Sequence, residues 1–167
     1  MTKWRVEPLS KQHVRSQFSC GVPALDHFLQ KQVTQYEKRN LGRTHVVTDD
    51  SNTRVIGYYT LAAGEIAARN LPPEAAKRLP QHPIPAVLLA RLAVDQSFHH
   101  AGVGSHLLRD AILRVLNITN EIGAYAVYVR ATDETAAKFY RKYGFLSYHA
   151  SPLDLYLPLA PYNHRNE

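Results

Sequence analysis

A long apolar strand pattern that runs into a glycine-rich turn most constrains the fold of this chain. Residues Ala86–Val94 are almost all apolar, which predicts a central strand buried on both faces. A short loop follows, and Gly102 and Gly104 then stand at the start of a helical pattern over Val103–Leu116. The chain therefore has a strand–loop–helix unit, with the strand at the centre of a sheet.

Shorter strand and helix patterns surround this unit. The residue types predict a strand, a helix and two strands before it, and a strand, a helix and two strands after it. These elements are Trp4–Glu7, Pro23–Arg39, Thr44–Thr48 and Arg54–Ala63, then Tyr125–Arg130, Glu134–Tyr143, Phe145–His149 and Leu153–Leu157. Because helices would flank a mixed sheet, we predict an α/β or α+β fold.

Local signals predict where these elements end. Gly42 follows the first long helix, and Gly144 follows the last one in the position where a helix often stops. Residues Asp49–Asn52 are typical of a hairpin turn. The prolines of Leu71–Pro85 exclude a regular strand or a long helix there, and leave room for one short helical turn within Glu74–Leu79.

Length and composition limit the class of protein. A chain of 167 residues has the length of one domain, about 100–200 residues, so we expect a single domain over 1–167. The lone Cys20 and the lack of a Cys-rich pattern predict neither a disulfide nor a metal site. Arg91 interrupts the longest apolar stretch, and no apolar signal segment follows the N-terminus, so we expect a cytoplasmic protein without a membrane contact.

The net charge and the glycine-rich turn both point to an anionic ligand. The chain carries 20 basic and 14 acidic residues, an excess that suits nucleic acid or a phosphorylated cofactor. The first backbone N–H groups of a helix have no partner within the helix, and they form an anion site. Because Gly102 and Gly104 lack a Cβ, a phosphate can approach the backbone closely there.

The segment Leu92-Ala93-Val94-Asp95-Gln96-Ser97-Phe98-His99-His100-Ala101-Gly102-Val103-Gly104 resembles motif A of the GNAT N-acetyltransferases. In that family a Gln/Arg-x-x-Gly-x-Gly/Ala loop follows a Val-Asp strand end. The resemblance implies the GNAT fold, a mixed and mostly antiparallel sheet splayed at its centre, with acetyl-CoA as acetyl donor. It also implies that acetyl-CoA contacts Leu92, Ala93, Val94, His99, His100, Ala101, Gly102, Val103, Gly104 and Ser105.

A second segment is similar to another GNAT signature. Residues Asp133–Phe145 match the pattern Asn/Asp-x-x-Ala-x-x-Phe-Tyr-x-x-x-Gly-Phe, the helix and strand that complete the cofactor site in this family. The resemblance implies cofactor contacts from Asp133, Ala136 and Phe139, although Phe139 also suits a place in the core. It implies that Tyr140 is the general acid.

A third resemblance covers nearly the whole chain. Phe18–Leu29, Ile56–Gly64 and Leu89–Asp95 are similar to the acetyltransferase toxins of bacterial type II toxin–antitoxin modules. That subfamily acetylates the α-amine of aminoacyl-tRNA with acetyl-CoA. The resemblance therefore implies a tRNA substrate, a ribbon-helix-helix antitoxin as partner, and a homodimer.

The sequence departs from the family pattern at the start of the loop. His99 stands where the family usually has Gln or Arg, and His100 and Ala101 replace residues that are often Gly and Arg. A missing arginine removes one charge from the diphosphate pocket, while the backbone donors remain. His99 can donate one hydrogen bond, or two when it is protonated. Two solvated loop histidines are the alternative.

Several side chains are candidates for the acceptor side and for proton transfer. Arg91 is a charged residue within a central strand, so it either pairs with a nearby carboxylate or contacts substrate. Arg141 and Lys142 either complement the helix dipole or contact tRNA phosphates. Glu65 is the carboxylate nominated as a base, with a surface residue at a strand end as the alternative.

Three functions remain open from the sequence. The first is a toxin that acetylates aminoacyl-tRNA, and the second is a GNAT enzyme for a small amine or a peptide N-terminus without a toxin role. The third is an inactive CoA-binding module, which the changes at His99 and Ala101 motivate and the intact Tyr140 opposes.

Overall fold

The computed structural model of the chain describes residues 4–163. Within these residues, seven strands form one sheet in the order β1-β2-β3-β4-β5-β7-β6. The strands are β1 Val6–Pro8, β2 Arg43–Thr48, β3 Val55–Ile66, β4 Ile84–Val94, β5 Ala126–Arg130, β6 Leu146–Tyr148 and β7 Ser151–Pro158.

Helical segments connect the strands. They are α1 Pro23–His27, a π-helical segment Phe28–Gln32, α2 Val33–Lys38, α3 Pro73–Ala76, α4 Val103–Ile118 and α5 Glu134–Lys142. Short 3-10 turns lie at Ala68–Asn70, Gln96–Phe98 and Ala160–Tyr162. Across the described part of the chain, no helix has the length and apolar character needed to cross a membrane.

The strand directions confirm the prediction of a mixed, mostly antiparallel sheet. Strand β2 runs antiparallel to β1 and β3, and β7 runs antiparallel to β5 and β6. Strands β4 and β5 are parallel, and their ladder joins Ala86–Leu88 to Ala126–Tyr128. The opening of the sheet at its centre stays a prediction.

The described residues fall into two compact units. The first contains the residues up to Ala62 together with Ala90–Ile112. The second contains Ala63–Leu89 and the residues from Leu113 onward. Strands β3 and β4 and helix α4 each contribute residues to both units. A single domain over 1–167 therefore stays a prediction.

The core of the first unit is built on the apolar stripe of the first helical region. Phe28 and Val33 are fully buried, and they pack with Val46 and Tyr58 of the sheet. The Tyr58 hydroxyl donates to the Leu25 carbonyl at 2.7 Å, which ties the helix to β3. Because truncating a buried Phe to Ala costs ~3–5 kcal/mol, Phe28 is a main support of this unit.

The first helical region differs in detail from the predicted regular helix over Pro23–Arg39. Its centre is π-helical, because the Val33 N–H donates to the Phe28 carbonyl five residues earlier. The region closes on Asn40 rather than on Gly42: Asn40 has φ +58° and the Leu41 N–H donates to the Tyr36 carbonyl at 3.0 Å. Asparagine can take this left-handed conformation, so no glycine is needed.

The core of the second unit includes the proline-rich segment. Leu71 is buried and belongs to the same cluster as Ile66, Ile84 and Tyr156, and Leu79 packs against that cluster. The short helix α3 lies close to the predicted turn. The segment is therefore part of the core of its unit.

The prediction that the proline-rich loop extends to Pro85 is wrong. Strand β4 already begins at Ile84, and the exposed Pro85 accepts a hydrogen bond from the Tyr125 N–H at 2.8 Å. A proline can occupy a strand where only its carbonyl is required. Strand β7 contains Pro152 in the same way, so it begins at Ser151, two residues before the predicted start at Leu153.

Other strand boundaries shift by a few residues. Strand β1 covers Val6–Pro8 rather than Trp4–Glu7, and β3 continues to Ile66 rather than to Ala63. The prediction that β4 is buried on both faces is wrong for its last part. After Leu89 only Ala93 is fully buried, and the other residues up to Val94 are half-buried. The strand end is thus partly open to solvent, as a ligand site requires.

Candidate functional site

The predicted strand–loop–helix unit is present at the end of β4. The chain leaves Val94, forms the 3-10 turn Gln96–Phe98, and enters α4 at Val103. Two residues of the loop take left-handed backbone conformations, His100 with φ +66° and Gly102 with φ +90°. The glycine that the sequence singled out thus stands at a position that requires one.

The start of α4 presents free backbone donors. The first main-chain bond runs from the His106 N–H to the Gly102 carbonyl at 3.2 Å. The N–H groups of Val103, Gly104 and Ser105 precede that bond, so they are available to an anion. A Cβ placed on Gly102 would meet no atom within 4 Å, so the space above this residue is open.

The side chains around these donors hold the helix start in place. Val103 is fully buried and packs near Gly57, where a Cβ would lie 3.1 Å from a Val103 methyl group. The Ser105 hydroxyl donates to the Gly102 carbonyl at 3.1 Å. The Ser105 side chain is therefore engaged by the loop, and its backbone N–H is the group left for a ligand.

His99 binds the main chain of its own loop. Its Nε2 lies 2.8 Å from the Val94 carbonyl oxygen. Because a carbonyl can only accept, Nε2 carries the proton in this contact. Nδ1 is then an acceptor in the neutral ring, so His99 could donate a hydrogen bond to the cofactor only when its imidazole is protonated. His100 is exposed, with its ring edge-on to that of His99 at 6.4 Å. No group of His, Cys, Asp and Glu residues within 4–163 could hold a metal ion.

Arg91 stacks on aromatic rings. Its guanidinium carbon lies 3.6 Å from the centre of the Phe28 ring and 5.1 Å from that of Tyr36. The stack matches the half-buried charge with the negative faces of two rings. Guanidinium N–H groups lie in the plane of the group, so an arginine over a ring face can still donate from its edges to an anion or a carbonyl.

The second predicted signature forms helix α5. Asp133 caps the helix, and its Oδ1 accepts from the Ala136 N–H at 2.8 Å. Gly144 follows the helix with φ +97°, as predicted. The Asp133 carboxylate is thus committed to the backbone. Ala136 is half-buried one turn into the helix.

Arg141 and Lys142 differ in their surroundings. The Arg141 guanidinium binds Glu134 at 2.8 and 3.4 Å, and its Nε donates to the Ser147 hydroxyl at 3.3 Å. Arg141 is therefore held by its own helix and by β6. Lys142 is exposed, and its amine lies 5.7 Å from the Tyr143 ring.

Tyr140 is the most enclosed of the candidate residues on α5. Its exposed fraction is 5%, and its ring contacts Phe139 at 5.3 Å and Phe145 at 5.4 Å between centroids. Burial alone raises the pKa of the Tyr140 hydroxyl above its ordinary value. The hydroxyl is therefore protonated at neutral pH. Phe139 is half-buried and also contacts the Tyr143 ring.

Comparison with known proteins decides the family. The family model described as an acetyltransferase (GNAT) domain matches residues 40–146. A protein of Mycobacterium tuberculosis named tRNA-acetylating toxin is 39% identical over 140 residues, 84% of this chain and 82% of that protein. This chain belongs to the GNAT acetyltransferase family.

Two solved structures resemble this GNAT chain over almost its whole length. The toxin AtaT complexed with acetyl-methionyl-tRNAfMet has a TM-score of 0.88 and 27% identity, with 96% of this chain and 97% of that chain covered. A Tyr-to-Phe variant of AtaT bound to the C-terminus of the antitoxin AtaR and to acetyl-CoA has a TM-score of 0.78 and 25% identity. That alignment covers 93% of this chain and 92% of the AtaT chain.

The structure of this GNAT chain also contains a buried carboxylate that sequence reasoning did not single out. Asp95, 4% exposed, accepts from the backbone N–H groups of Ser19 and Ser97, each at 3.0 Å, and from the Ser97 hydroxyl at 2.6 Å. Arg54 lies 3.5 Å away. The available signal was the Asp-x-Ser pattern at a strand end, which is typical of a capped turn. Its partners Ser19 and Arg54 carry no such signal.

The nominated base Glu65 lies on an exposed part of β3. The strand continues through it to Ile66, so Glu65 is within a strand rather than after one. An exposed carboxylate on a strand has the character of a surface residue. The geometry thus gives Glu65 no special role in a GNAT reaction.

Proposed function

We propose that this GNAT enzyme is a toxin that transfers the acetyl group of acetyl-CoA to the α-amine of aminoacyl-tRNA and so blocks translation. The donor half of the proposal rests on the free N–H groups at the start of α4, which suit a diphosphate. The acceptor half rests on the relative named tRNA-acetylating toxin and on the likeness to AtaT complexed with acetyl-methionyl-tRNAfMet. A net charge of +6 supports a polyanionic substrate.

Acetyl-CoA would bind through backbone groups more than through charged side chains. The open space over Gly102 and the N–H groups of Val103–Ser105 support diphosphate binding there. The end of β4, Leu92–Val94, supplies backbone groups for the pantetheine arm and for the carbonyl oxygen of the acetyl group. The remaining proposed contacts are His99, His100 and Ala101 in the loop, and Asp133, Ala136 and Phe139 on α5.

The acceptor amine needs no dedicated base. A free α-amine has a pKa of ~7.7–8.0, so a sizeable fraction is neutral near pH 7. The neighbouring ester of aminoacyl-tRNA lowers that pKa further. A lysine side chain, with a pKa of ~10.4, would need a base. The exposed position of Glu65 is therefore compatible with an α-amine substrate and unfavourable for a lysine.

The transfer proceeds directly from the thioester to the amine. Cys20 is buried, and burial together with the nearby Asp26 raises its pKa to about 12. A thiol with that pKa is a poor nucleophile at neutral pH. An acetyl-enzyme intermediate on Cys20 is thus unfavourable, and the chain contains no other cysteine.

Tyr140 would act on the departing sulfur. Even at its ordinary pKa of ~10, complete proton transfer to a thiolate with pKa ~8.5 is uphill by about 2 kcal/mol. Because burial raises the pKa of Tyr140, complete transfer is more costly still. Tyr140 therefore donates a hydrogen bond that strengthens as the C–S bond breaks, and the proton released by the amine reaches the sulfur through solvent.

Arg91 and Lys142 are the stronger candidates for tRNA contacts. The stacked Arg91 keeps its N–H donors free of a carboxylate among the described residues, and Lys142 is exposed. Arg141 already binds Glu134, so a phosphate contact from it would require a bond to break. Phosphate contacts of this kind position a nucleic acid without reading its sequence.

The proposed partners follow from the same relatives. AtaT is found with the C-terminus of its antitoxin AtaR, which supports an antitoxin partner for this chain. We further propose that this antitoxin is of the ribbon-helix-helix type, that the toxin is a homodimer, and that it acts in the cytoplasm, where charged tRNA is found.

The test uses purified protein, acetyl-CoA labelled in the acetyl group, and a pool of aminoacylated tRNAs, with Tyr140→Phe alongside. Label on the aminoacyl group, greatly reduced in Tyr140→Phe, is the expected result. If acetyl-CoA binds and small amines or peptide N-termini are labelled instead of tRNA, the toxin proposal is wrong. If acetyl-CoA binds and no amine is labelled, the protein is an inactive CoA-binding module.

A further inference from the structure

The buried carboxylate of Asp95 joins three separate parts of the first unit. Its Oδ2 accepts from the Ser19 N–H in the N-terminal segment. Its Oδ1 accepts from the N–H and the hydroxyl of Ser97, and so caps the turn that leads into the loop. Arg54, next to the start of β3, lies 3.5 Å from the same oxygen and 3.5 Å from the Ser97 hydroxyl.

The main chain around Asp95 is fixed at the same place. The Asp95 N–H donates to the Ile56 carbonyl of β3, and the Gln96 N–H donates to the Ser19 carbonyl, both at 2.8 Å. The His99 bond to the Val94 carbonyl closes the turn from the other side. The turn between the strand end and His99 is thus held by the bonds to the Asp95 carboxylate together with main-chain bonds on either side of it.

We infer that Asp95 is a positioning residue for acetyl-CoA. It fixes the turn Gln96–Phe98, and this turn orients the loop and the start of α4 toward the diphosphate. The inference rests on the proposed function. Asp95 does not touch the ligand in this role. It acts through Ser97, His99 and the backbone that leads to Gly102.

Arg54 compensates the negative charge of the buried Asp95 carboxylate, which lies close to the proposed diphosphate site. An unpaired carboxylate near the loop would repel a diphosphate and would be costly to bury. Its hydrogen bonds and the Arg54 guanidinium compensate this charge. Although burial raises the pKa of Asp95, the bonds from Ser97 and Ser19 together with Arg54 bring it below its ordinary value. The group is therefore an anion throughout the physiological range.

The substitution Asp95→Asn tests this role with little change of shape. An asparagine can keep one oxygen toward Ser97, but its NH2 group then faces the Ser19 N–H, and two donors oppose each other. We expect acetyl-CoA affinity to fall by about tenfold, because bonds to a charged acceptor are lost. Asp154→Asn is the matched control, since Asp154 also accepts from a serine hydroxyl and an arginine, at 2.6 and 2.8 Å, in the second unit.

A comparison of two acetyl donors distinguishes a specific loss of diphosphate binding from a general loss of activity. Acetyl-CoA contains the diphosphate, whereas acetyl-pantetheine lacks it. For Asp95→Asn we expect a higher Kd and a higher KM for acetyl-CoA, whereas the turnover of acetyl-pantetheine should be unchanged. Equal losses for both donors, or an unchanged acetyl-CoA Kd, would overturn the inference.

A direct measurement of acetyl-CoA binding separates this test from the test of the acceptor substrate. The Kd of acetyl-CoA is measured by calorimetry without tRNA, so a failure of the wild-type protein to bind would overturn the proposed function itself. If Asp95→Asn does not fold, Ser97→Ala removes the 2.6 Å hydroxyl bond to Asp95 and the 3.5 Å contact with Arg54, and it leaves the carboxylate in place. We then expect a smaller loss of acetyl-CoA affinity than for Asp95→Asn, and no loss at all would refute the role.

Discussion

The substitution Gly102→Ala separates backbone strain from ligand exclusion at the proposed diphosphate site. Gly102 has φ +90°, a conformation that costs an L-residue roughly 1–2 kcal/mol. Nothing lies within 4 Å of the added Cβ, so no steric cost adds to this strain in the free protein. We expect the unfolding midpoint to fall by about 2–4 °C for each kcal/mol lost.

The added methyl group would stand where the diphosphate must approach the backbone. Binding of acetyl-CoA should therefore weaken by at least tenfold, beyond any effect of stability. Gly144→Ala is the matched control. Gly144 has φ +97°, and its added Cβ makes only ordinary contacts at 3.5 Å with Leu157 and Tyr162.

Both variants are assayed by thermal unfolding and by acetyl-CoA calorimetry. The two should lose similar stability, because the backbone strain is similar, while only Gly102→Ala should lose affinity. If Gly102→Ala binds acetyl-CoA as tightly as the wild type does, the diphosphate does not lie over this residue and the reasoning fails.

Three further predictions concern packing, the loop and pH. Gly57→Ala should cost about 1–3 kcal/mol by overpacking, since the Cβ would lie 2.9 Å from a buried leucine; Gly123→Ala, which has open space, should be nearly neutral in the same thermal melt. His99→Gln should retain the acetyl-CoA Kd, because its amide can donate to the Val94 carbonyl as the His99 ring does, whereas His99→Ala should raise the Kd; equal values for both variants would show that this bond does not support acetyl-CoA binding. Because the folded-state pKa of Asp95 lies below its unfolded value, its stabilisation is present above about pH 4 and is lost as the pH falls further. The stability difference between wild type and Asp95→Asn should shrink between pH 7 and pH 3, and a constant difference would contradict this.

The parts of the fold that depend on local residue patterns could be predicted. The apolar strand at β4, the apolar stripe of the first helical region and the glycines at the ends of α4 and α5 all have short-range signals. Gly144 takes a positive φ, as its position after a helix predicted, and Gly102, singled out for its missing Cβ, has a positive φ as well. Proline was the misleading signal, because Pro85 and Pro152 occupy strands through their carbonyl groups alone.

The parts of the candidate site that depend on distant contacts could not be predicted. The Asp95 network joins residues 76 positions apart in sequence, Ser19 and Asp95. The stacking of Arg91 on Phe28 likewise depends on how a helix packs on a strand. The binding partner of a surface side chain is equally hard to predict from sequence. Arg141 could have faced a phosphate, but it binds Glu134 within its own helix.

The central claim is that the acceptor is the α-amine of an aminoacyl group on tRNA. The most direct measurement is mass spectrometry of the amino acids released by mild alkaline hydrolysis of charged tRNA after incubation with the protein and acetyl-CoA. The account predicts N-acetyl amino acids with the acetyl group on the α-nitrogen, and none from uncharged tRNA. Unmodified amino acids from every charged tRNA, in the presence of bound acetyl-CoA, would contradict it.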